Sequence, residues 1–370
     1  MSSGSGSEGL ASGVGQIHLS TERDWNHRPP IAYGKEFGPI HLLAENLPHD
    51  LEDLVNALPE WQRNMPVVRL AFESAISENT VDDEPDAPPI EVRNDVDDEI
   101  TPPWEFHYSN RMWHGKGVPP PDVKNLRGCD CVGACNPKSL TCACVKRQRK
   151  FFKDEPGFSG FMYDEKGRLH LEYAGYPIFE CNDLCQCTDD CRNRVAQLGR
   201  KCMVDIVKTP NKGWGIFARH KIVKGTYVGI YAGELLKDDE GEERGKIYNQ
   251  FGRTYLFDID FWYIRKAKGK HGADWQPYTV DAYHAGNNHS CDPNCLINAC
   301  YINEANIDKP LMTLFTQRDI NENEELTFSY YGDPDDDAVP VAAGAGSSGA
   351  DSVYRRCECG APKCRGRLFN

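Results

Sequence analysis

Nine cysteines in two bunches carry the first chemistry this chain offers: Cys129, Cys131, Cys135, Cys142 and Cys144, then Cys181, Cys185, Cys187 and Cys191. They read C-x-C-x3-C-x6-C-x-C, a gap of thirty-six residues, then C-x3-C-x-C-x3-C. That is too regular and too dense for thiols scattered through an ordinary core, which is the plainer alternative. Metal binding is the expectation. An odd number of thiols leaves one over if all pair as disulfides, whereas three tetrahedral zinc ions need twelve bonds, which six terminal and three bridging thiolates supply.

Composition sets the compartment in which those thiols work. Residues 1–13 (MSSGSGSEGLASG) hold no cationic stretch followed by an apolar run, and no segment approaches the roughly twenty apolar residues that span a bilayer. We therefore expect a soluble intracellular protein without membrane contact, where dense cysteines are more often metal ligands than disulfides. A chain of 370 residues has room for two or three domains and a sizeable core. The net charge of -14 speaks against a general nucleic-acid binder, because phosphate contacts need a basic face, and it suits a basic peptide.

The elements that must position such a site are short strands. After Cys191 come CMVDIVKT, GIFARH, TYVGIYAGEL, TYLFDIDFWYI, YTVDAY, LMTLFTQR and ELTFSYY, β-branched or aromatic runs divided by Gly, Pro, Asn or Asp turns. Helical periodicity is scarce, so small curved sheets are expected in place of a parallel doubly wound sheet. Upstream, residues 81–100 carry nine acids against one arginine, with three prolines, and read as a solvated linker. Between the Gly/Ser-rich start and that linker, Leu42 to Trp61 places Leu51, Leu54, Val55 and Leu58 at helical spacing, a docking element or a plain surface helix. The cluster Lys146, Arg147, Gln148, Arg149 and Lys150 reads as a solvated charged loop on the zinc array, in preference to an import signal or a DNA patch.

From Trp104 onward an ordered series of motifs appears. The nine cysteines are followed by Gly213-Trp214-Gly215-Ile216-Phe217, Tyr231-Ala232-Gly233-Glu234, Tyr255-Leu256-Phe257-Asp258, Asn288-His289-Ser290-Cys291-Asp292-Pro293-Asn294, Glu325-Leu326-Thr327-Phe328-Ser329-Tyr330 and a terminal C-x-C-x4-C of Cys357, Cys359 and Cys364. The series resembles the SET-domain protein lysine methyltransferases, and within them the fungal members of the class that methylates lysine 9 of histone H3. The resemblance covers residues 104–370, and nothing like a chromodomain is visible before it. It implies a mainly β chain with little helix: a SET fold of small curved sheets with a knot-like core, preceded by a nine-cysteine, three-zinc pre-SET domain and followed by a zinc-binding post-SET tail. The expected divisions are residues 1–103, acidic and largely disordered with a short helical piece; 104–200, a flank and the pre-SET domain; 201–331, the SET domain; 332–354, a flexible linker; and 355–370, the post-SET segment.

The implied activity is transfer of methyl from S-adenosylmethionine to the side-chain amine of lysine 9 of histone H3, to the di- or trimethyl stage, by a nuclear chromatin protein of heterochromatin formation and gene silencing. An in-line displacement needs nitrogen, methyl carbon and sulfur aligned, and a neutral amine although free lysine titrates at about 10.4. A narrow apolar channel beside a sulfonium lowers that value. The resemblance makes Tyr330 the catalytic tyrosine, with Tyr231 and Tyr255 as supporting hydroxyls; ordinary strand packing is the plainer reading of each. Phe328 is implied as a size switch that leaves room for further methyl groups. Gly213 and Gly215 would let the backbone approach the donor, with Trp214 offering a ring face, and Asn288 and His289, with Tyr255, would also hold it; without the resemblance these are a tight turn and a polar turn. Cys291 is implied as the fourth ligand of one zinc with Cys357, Cys359 and Cys364, clamping the tail over the site. Cys202, Cys295 and Cys300 are left as small core residues.

Some positions depart from the family pattern. Ala285-Gly286-Asn287 runs directly into Asn288-His289, roughly five residues short of the Val-Ser/Thr-Arg-Phe-Phe/Ile segment of relatives, a change that shifts register and packing. Arg367 stands where a tryptophan is usual, and Ser329 where an aspartate is usual. They keep a second reading open, a catalytically weak or inactive SET protein that binds the histone tail or chromatin partners. A third, a DNA-binding zinc module, is disfavoured by the acidic balance, and no sequence-specific DNA binding is expected. The expected partner is the histone H3 tail, added as a strand in an acidic groove for which Asp258, Asp260 and Asp281 are candidates unless they are plain surface carboxylates. Residues 1–103 are where heterochromatin proteins would dock. Residues 332–353 (GDPDDDAVPVAAGAGSSGADSV) read as a tether that lets the tail close on donor and peptide.

Overall fold

The computed structural model describes residues 84–97, 110–152, 155, 157–250, 255–259, 261, 278–282, 288–330 and 356–366, with scattered positions between 59 and 81. The helical piece up to Leu58, Asp260, the Ala285-Gly286-Asn287 junction, the 332–353 tether and Arg367 lie outside the described residues.

Short runs of β-branched and aromatic residues give short strands. In chain order they are β1 (Glu91–Arg93), β2 (Met112–His114), β3 (Ile178–Phe179), β4 (Val204–Thr209), β5 (Gly213–Ala218), β6 (Tyr227–Ile230), β7 (Gly233–Lys237), β8 (Leu256–Asp258), β9 (Tyr278–Asp281), β10 (Asn288–His289), β11 (Cys295–Tyr301), β12 (Leu311–Thr316) and β13 (Glu325–Phe328). Helix α1 (Ala143–Arg149) lies between the cysteine bunches and α2 (Asp238–Gln250) between β7 and β8. Three small sheets result, with strand orders β1-β4-β5-β13-β10, β3-β11-β12-β6 and β2-β7-β9-β8. This is the mainly β, helix-poor architecture expected. No helix among the described residues is long and apolar enough to cross a membrane.

The middle sheet sits deepest. Every residue of β12 is buried, and β12 pairs antiparallel with β11 from Cys295↔Thr316 to Cys300↔Leu311. Phe315 on β12 meets the rings of Tyr163 and Tyr227 at centroid distances of 6.1 and 5.6 Å, joining the pre-SET side to the strands. Cys295 and Cys300 are buried in this core and Cys202 packs against it, as expected of small apolar residues. In the first sheet β13 enters between β5 and β10, antiparallel to the former and parallel to the latter, an insertion that answers to the knot-like core.

Two expectations need correction. The acidic stretch 81–100 is not simply a solvated linker, because β1 pairs in parallel with β4 (Glu91↔Asp205, Val92↔Ile206, Arg93↔Val207). Ile90 and Val92 enter the main core, and the buried Glu84 accepts the Arg200 backbone amide at 2.6 Å. A charge count averaged over twenty residues hides a strand of three. The basic cluster is likewise no solvated loop, since Lys146 to Arg149 form the body of α1. Gln148 is buried, donating from Nε2 to the Pro177 carbonyl at 2.7 Å and accepting the Phe179 amide at 2.8 Å. The Arg147 guanidinium lies 4.3 Å over the Phe179 ring and donates to the Glu304 carbonyl at 2.9 Å, while burial pushes its pKa down. Arg149 donates to the Pro137 carbonyl at 3.0 Å, leaving Lys146 and Lys150 as the exposed members. Cationic side chains here seek backbone carbonyls and a ring face, so α1 fastens the thiol array to β3.

Candidate active site and thiol clusters

The nine thiols converge. Three groups of four sulfurs lie mutually within 4.8 Å: Cys129, Cys131, Cys135 and Cys142; Cys129, Cys144, Cys181 and Cys185; and Cys129, Cys135, Cys181 and Cys187. Cys129, Cys135 and Cys181 recur among them, and Cys191 approaches the last group, its sulfur 3.9 Å from that of Cys181. Sulfur separations of 3.4 Å for Cys129–Cys135 and Cys144–Cys185, and 3.7 Å for Cys135–Cys181, lie at or a little below the tetrahedral edge of about 3.8 Å that follows from zinc–sulfur bonds of about 2.3 Å. Crowding sets the thiols against one another: burial pushes Cys131 up to about 12, while a hydrogen bond with Cys144 draws Cys185 down to about 2. Divalent zinc resolves that conflict by taking them as thiolates, so the donor set fits it.

A second cluster closes across a long stretch of chain. Cys291 lies with Cys357, Cys359 and Cys364 within the same 4.8 Å limit, its sulfur 3.9 Å from that of Cys357 and 4.0 Å from that of Cys364. All four members are thiols, so this set also fits one tetrahedral zinc. The Arg365 amide donates to the Cys291 sulfur at 3.4 Å.

From Cys291 the contacts run inward. His289 is buried, and that burial, with Arg365 beside it, lowers its pKa to about 4, leaving a neutral imidazole. Its Nδ1 accepts the Tyr330 backbone amide at 3.1 Å, so the proton resides on Nε2, 3.3 Å from the Cys291 sulfur. The parallel pairing His289↔Phe328 between β10 and β13 fixes this placement. The tail cluster, the histidine and the backbone of Tyr330 thus form one connected path.

Around that path stands an aromatic wall. Phe328 is buried, with ring centroids 5.6 Å from Tyr231, 6.2 Å from Phe257 and 5.1 Å from Tyr330. Tyr231 and Phe257 are 5.6 Å apart, and the Tyr231 hydroxyl donates to the Tyr255 carbonyl at 3.1 Å. Burial, then the neighbouring Tyr330, raises the Tyr231 pKa well above that of an ordinary phenol, so it stays a neutral donor. Tyr231, Tyr255, Phe328 and Tyr330 are therefore brought together, Tyr255 through its carbonyl. Phe257 was not singled out from sequence; its place on alternate residues of a strand with Tyr255 was the available signal.

On the other flank of β13 lies β5, which opens with Gly213-Trp214-Gly215. The register Leu326↔Ile216 carries the C-terminal end of β13 toward the Gly213 end of β5. Gly213 has φ 72°, a conformation that favours glycine over other residues, with open space where a Cβ would stand. Trp214 is half-buried, with the Lys208 ammonium 5.3 Å from its ring centroid, and Gly215 pairs with Val207 of β4. Asn288 enters through its backbone pairing with Thr327.

The acidic-groove candidates divide. Asp258 is exposed and accepts from the Thr279 hydroxyl at 2.7 Å. Asp281 fits neither reading made of it, being buried and bound by Arg244 at 2.8 Å and the Tyr248 hydroxyl at 2.7 Å. A carboxylate in a strand that pairs on both sides needs an internal cation, and α2 supplies one.

A mainly β fold of three small sheets, flanked by a nine-thiol array and joined through a histidine to a four-thiol tail, defines a SET domain with its zinc-binding attachments. Residues 82–194 match the Pre-SET motif and residues 213–331 match the SET domain. The chain belongs to the family of SET-domain histone lysine methyltransferases. It is 39% identical over 372 residues to a Cryptococcus neoformans var. grubii protein named "Histone-lysine N-methyltransferase, H3 lysine-9 specific", covering 84% of this chain and 20% of that protein. The structure of the Neurospora SET domain protein DIM-5, a histone lysine methyltransferase, aligns with a TM-score of 0.55 at 30% identity, over 65% of this chain and 95% of that one. KRYPTONITE in complex with mCHH DNA, H3(1-15) peptide and SAH aligns with a TM-score of 0.57 at 25% identity, over 76% and 51%. The chain spans 20% to 65% of the length of the curated relatives it matches.

Proposed function

We propose that this chain transfers methyl from S-adenosylmethionine to the side-chain amine of lysine 9 in the histone H3 tail, reaching the di- or trimethyl stage. The observation that carries the reading is the aromatic wall of buried Tyr231 and Phe328 with half-buried Phe257 and Tyr330, tied through His289 to the tail thiols. The wall desolvates an entering ammonium and so favours its neutral, nucleophilic form. The Tyr330 hydroxyl orients the amine, while Tyr231, held by the Tyr255 carbonyl, narrows the channel. Bound S-adenosylmethionine supplies the electrophilic methyl carbon. Gly213, Trp214, Gly215, Asn288 and His289, together with Tyr255, are the residues that would hold it, with the open space at Gly213 admitting a ligand close to the backbone. The nine-thiol array holds three zinc ions, with Cys129, Cys135 and Cys181 as the bridging sulfurs. Cys291, Cys357, Cys359 and Cys364 hold one more.

The extended, basic H3 tail is the partner this acidic chain suits, and a nuclear, chromatin-bound site of action follows from that substrate. Heterochromatin proteins would dock on residues 1–103. The Ala285-Gly286-Asn287 sequence running directly into Asn288, shorter than the family pattern, favours a second reading in which the chain binds the tail but transfers methyl poorly. A radiolabelled-methyl assay on H3 peptides with lysine 9 intact or replaced, run beside calorimetry with S-adenosylmethionine, separates the two. Label that depends on lysine 9 supports the enzyme; peptide binding without label or donor binding supports the second reading.

A further inference from the structure

Helix α2 carries a cation that the site described above does not use. Arg244 Nη1 lies 2.8 Å from Glu234 Oε2 on β7 and 2.8 Å from Asp281 Oδ2 on β9, and its Nε is 3.3 Å from Glu240 one turn earlier. Both strand carboxylates are buried, and Tyr248, one turn beyond Arg244, donates its hydroxyl to the same Asp281 oxygen at 2.7 Å. Gly241 lets the helix sit this close, since a Cβ there would stand 3.0 Å from Thr279 of β9. One planar guanidinium therefore bridges two strands that already face each other at Glu234↔Asp281.

What that bridge holds is the β8 side of the aromatic wall. Asp281 also pairs with Leu256, and β8 stands at the end of its sheet with β9 as its strand neighbour. The Tyr255 carbonyl, leading into β8, accepts both the Ala282 amide at 3.0 Å and the Tyr231 hydroxyl at 3.1 Å. Phe257 on β8 faces Tyr231 and Phe328. Any slip of β9 against β7 passes directly to the carbonyl and ring that set Tyr231.

We infer that Arg244 is a positioning residue for methyl transfer: by holding α2 to Glu234 and Asp281 it sets β8, and with it the Tyr255 carbonyl and Phe257 ring that orient Tyr231. The inference rests on the proposed activity, and its test separates the two. Full-length Arg244→Gln, Arg244→Lys and Tyr248→Phe proteins are compared with wild type for methyl transfer to an H3 peptide, zinc content and amide exchange. Misplacing a channel wall by about 1 Å is expected to lower kcat at least about 10-fold in R244Q, with KM for the donor within about two-fold and products shifted toward monomethyl. R244K, which keeps the charge without the planar fork, recovers part of the rate. Exchange rises at residues 255–258 while zinc content stays at the wild-type level. Unchanged kcat in a folded R244Q protein, or a rise in exchange spread equally over the thiol array, overturns the inference. Should R244Q fail to fold, Y248F decides, with a smaller kcat loss and the same local exchange expected, and no change in either overturning it. If wild type itself transfers no methyl, the proposed function falls, and exchange at residues 255–258 alone judges Arg244.

Discussion

Phe328 is buried with the Tyr231 and Tyr330 ring centroids 5.6 and 5.1 Å away, so a hydroxyl added to its ring must find a place among those rings. In the proposed function, that hydroxyl would take the room that the second and third methyl groups need. F328Y is expected to stop mostly at monomethyl-lysine, and mass spectra of the H3 peptide with an unchanged product distribution would sink the idea. Tyr330→Phe keeps the ring and the backbone bond to His289 while removing only the hydroxyl. Its turnover should drop by at least about 100-fold, with donor binding by calorimetry retained, because orientation of the amine is the function lost. That Tyr231, Phe328 and Tyr330 come together was legible in the sequence, since each sits in a short motif with its own order in the chain. Phe257 and Arg244 were not. Their placement arises from pairing between β7, β8 and β9, which brings together residues far apart in sequence and leaves no local mark.

At the level of elements, the buried Glu84 accepts the Arg200 amide and lies 3.9 Å from its guanidinium, while β1 beyond it extends the first sheet. Breaking one side of a buried pair leaves an uncompensated charge, so Glu84→Ala should cost about 3–5 kcal/mol, read as a lower urea midpoint. A loss near zero would return the segment to the status of a linker. Most strands after Cys191 were readable from alternating β-branched and aromatic residues. β11 (CLINACY) escaped because its polar Asn298 is buried, its side chain accepting the Gly175 amide at 3.3 Å and donating to the Tyr176 carbonyl at 2.8 Å. Helix α2 escaped because its thirteen residues offer almost no apolar stripe. What favours it is Asp238, Asp239 and Glu240 at the positive end of the helix, and Arg244 reaching the strands. Buried charge in place of buried hydrocarbon is invisible to a search for periodicity.

For the whole molecule, the two thiol clusters carry different burdens. The nine-thiol array packs on the strands through α1 and forms a core of its own, with Val145 and Phe161. Among the described residues, Cys291 and its neighbour His289 link the tail cluster to the strands. Cys291→Ser should therefore lose one zinc per chain by metal analysis and most of the methyl transfer, with little change in the thermal midpoint; equal loss of activity and stability would contradict this division. Chelation strong enough to strip the array should unfold the protein, since binding energy of such sites is folding energy. The position of β13 between β5 and β10 has a consequence for biosynthesis. A nascent chain presents all nine array thiols by Cys191, yet the gap in its first sheet stays open until Phe328 has left the ribosome. A polypeptide released between those two points would carry the whole thiol array but lack the strand that joins β5 to β10, so the aromatic cluster around Phe328 could not form.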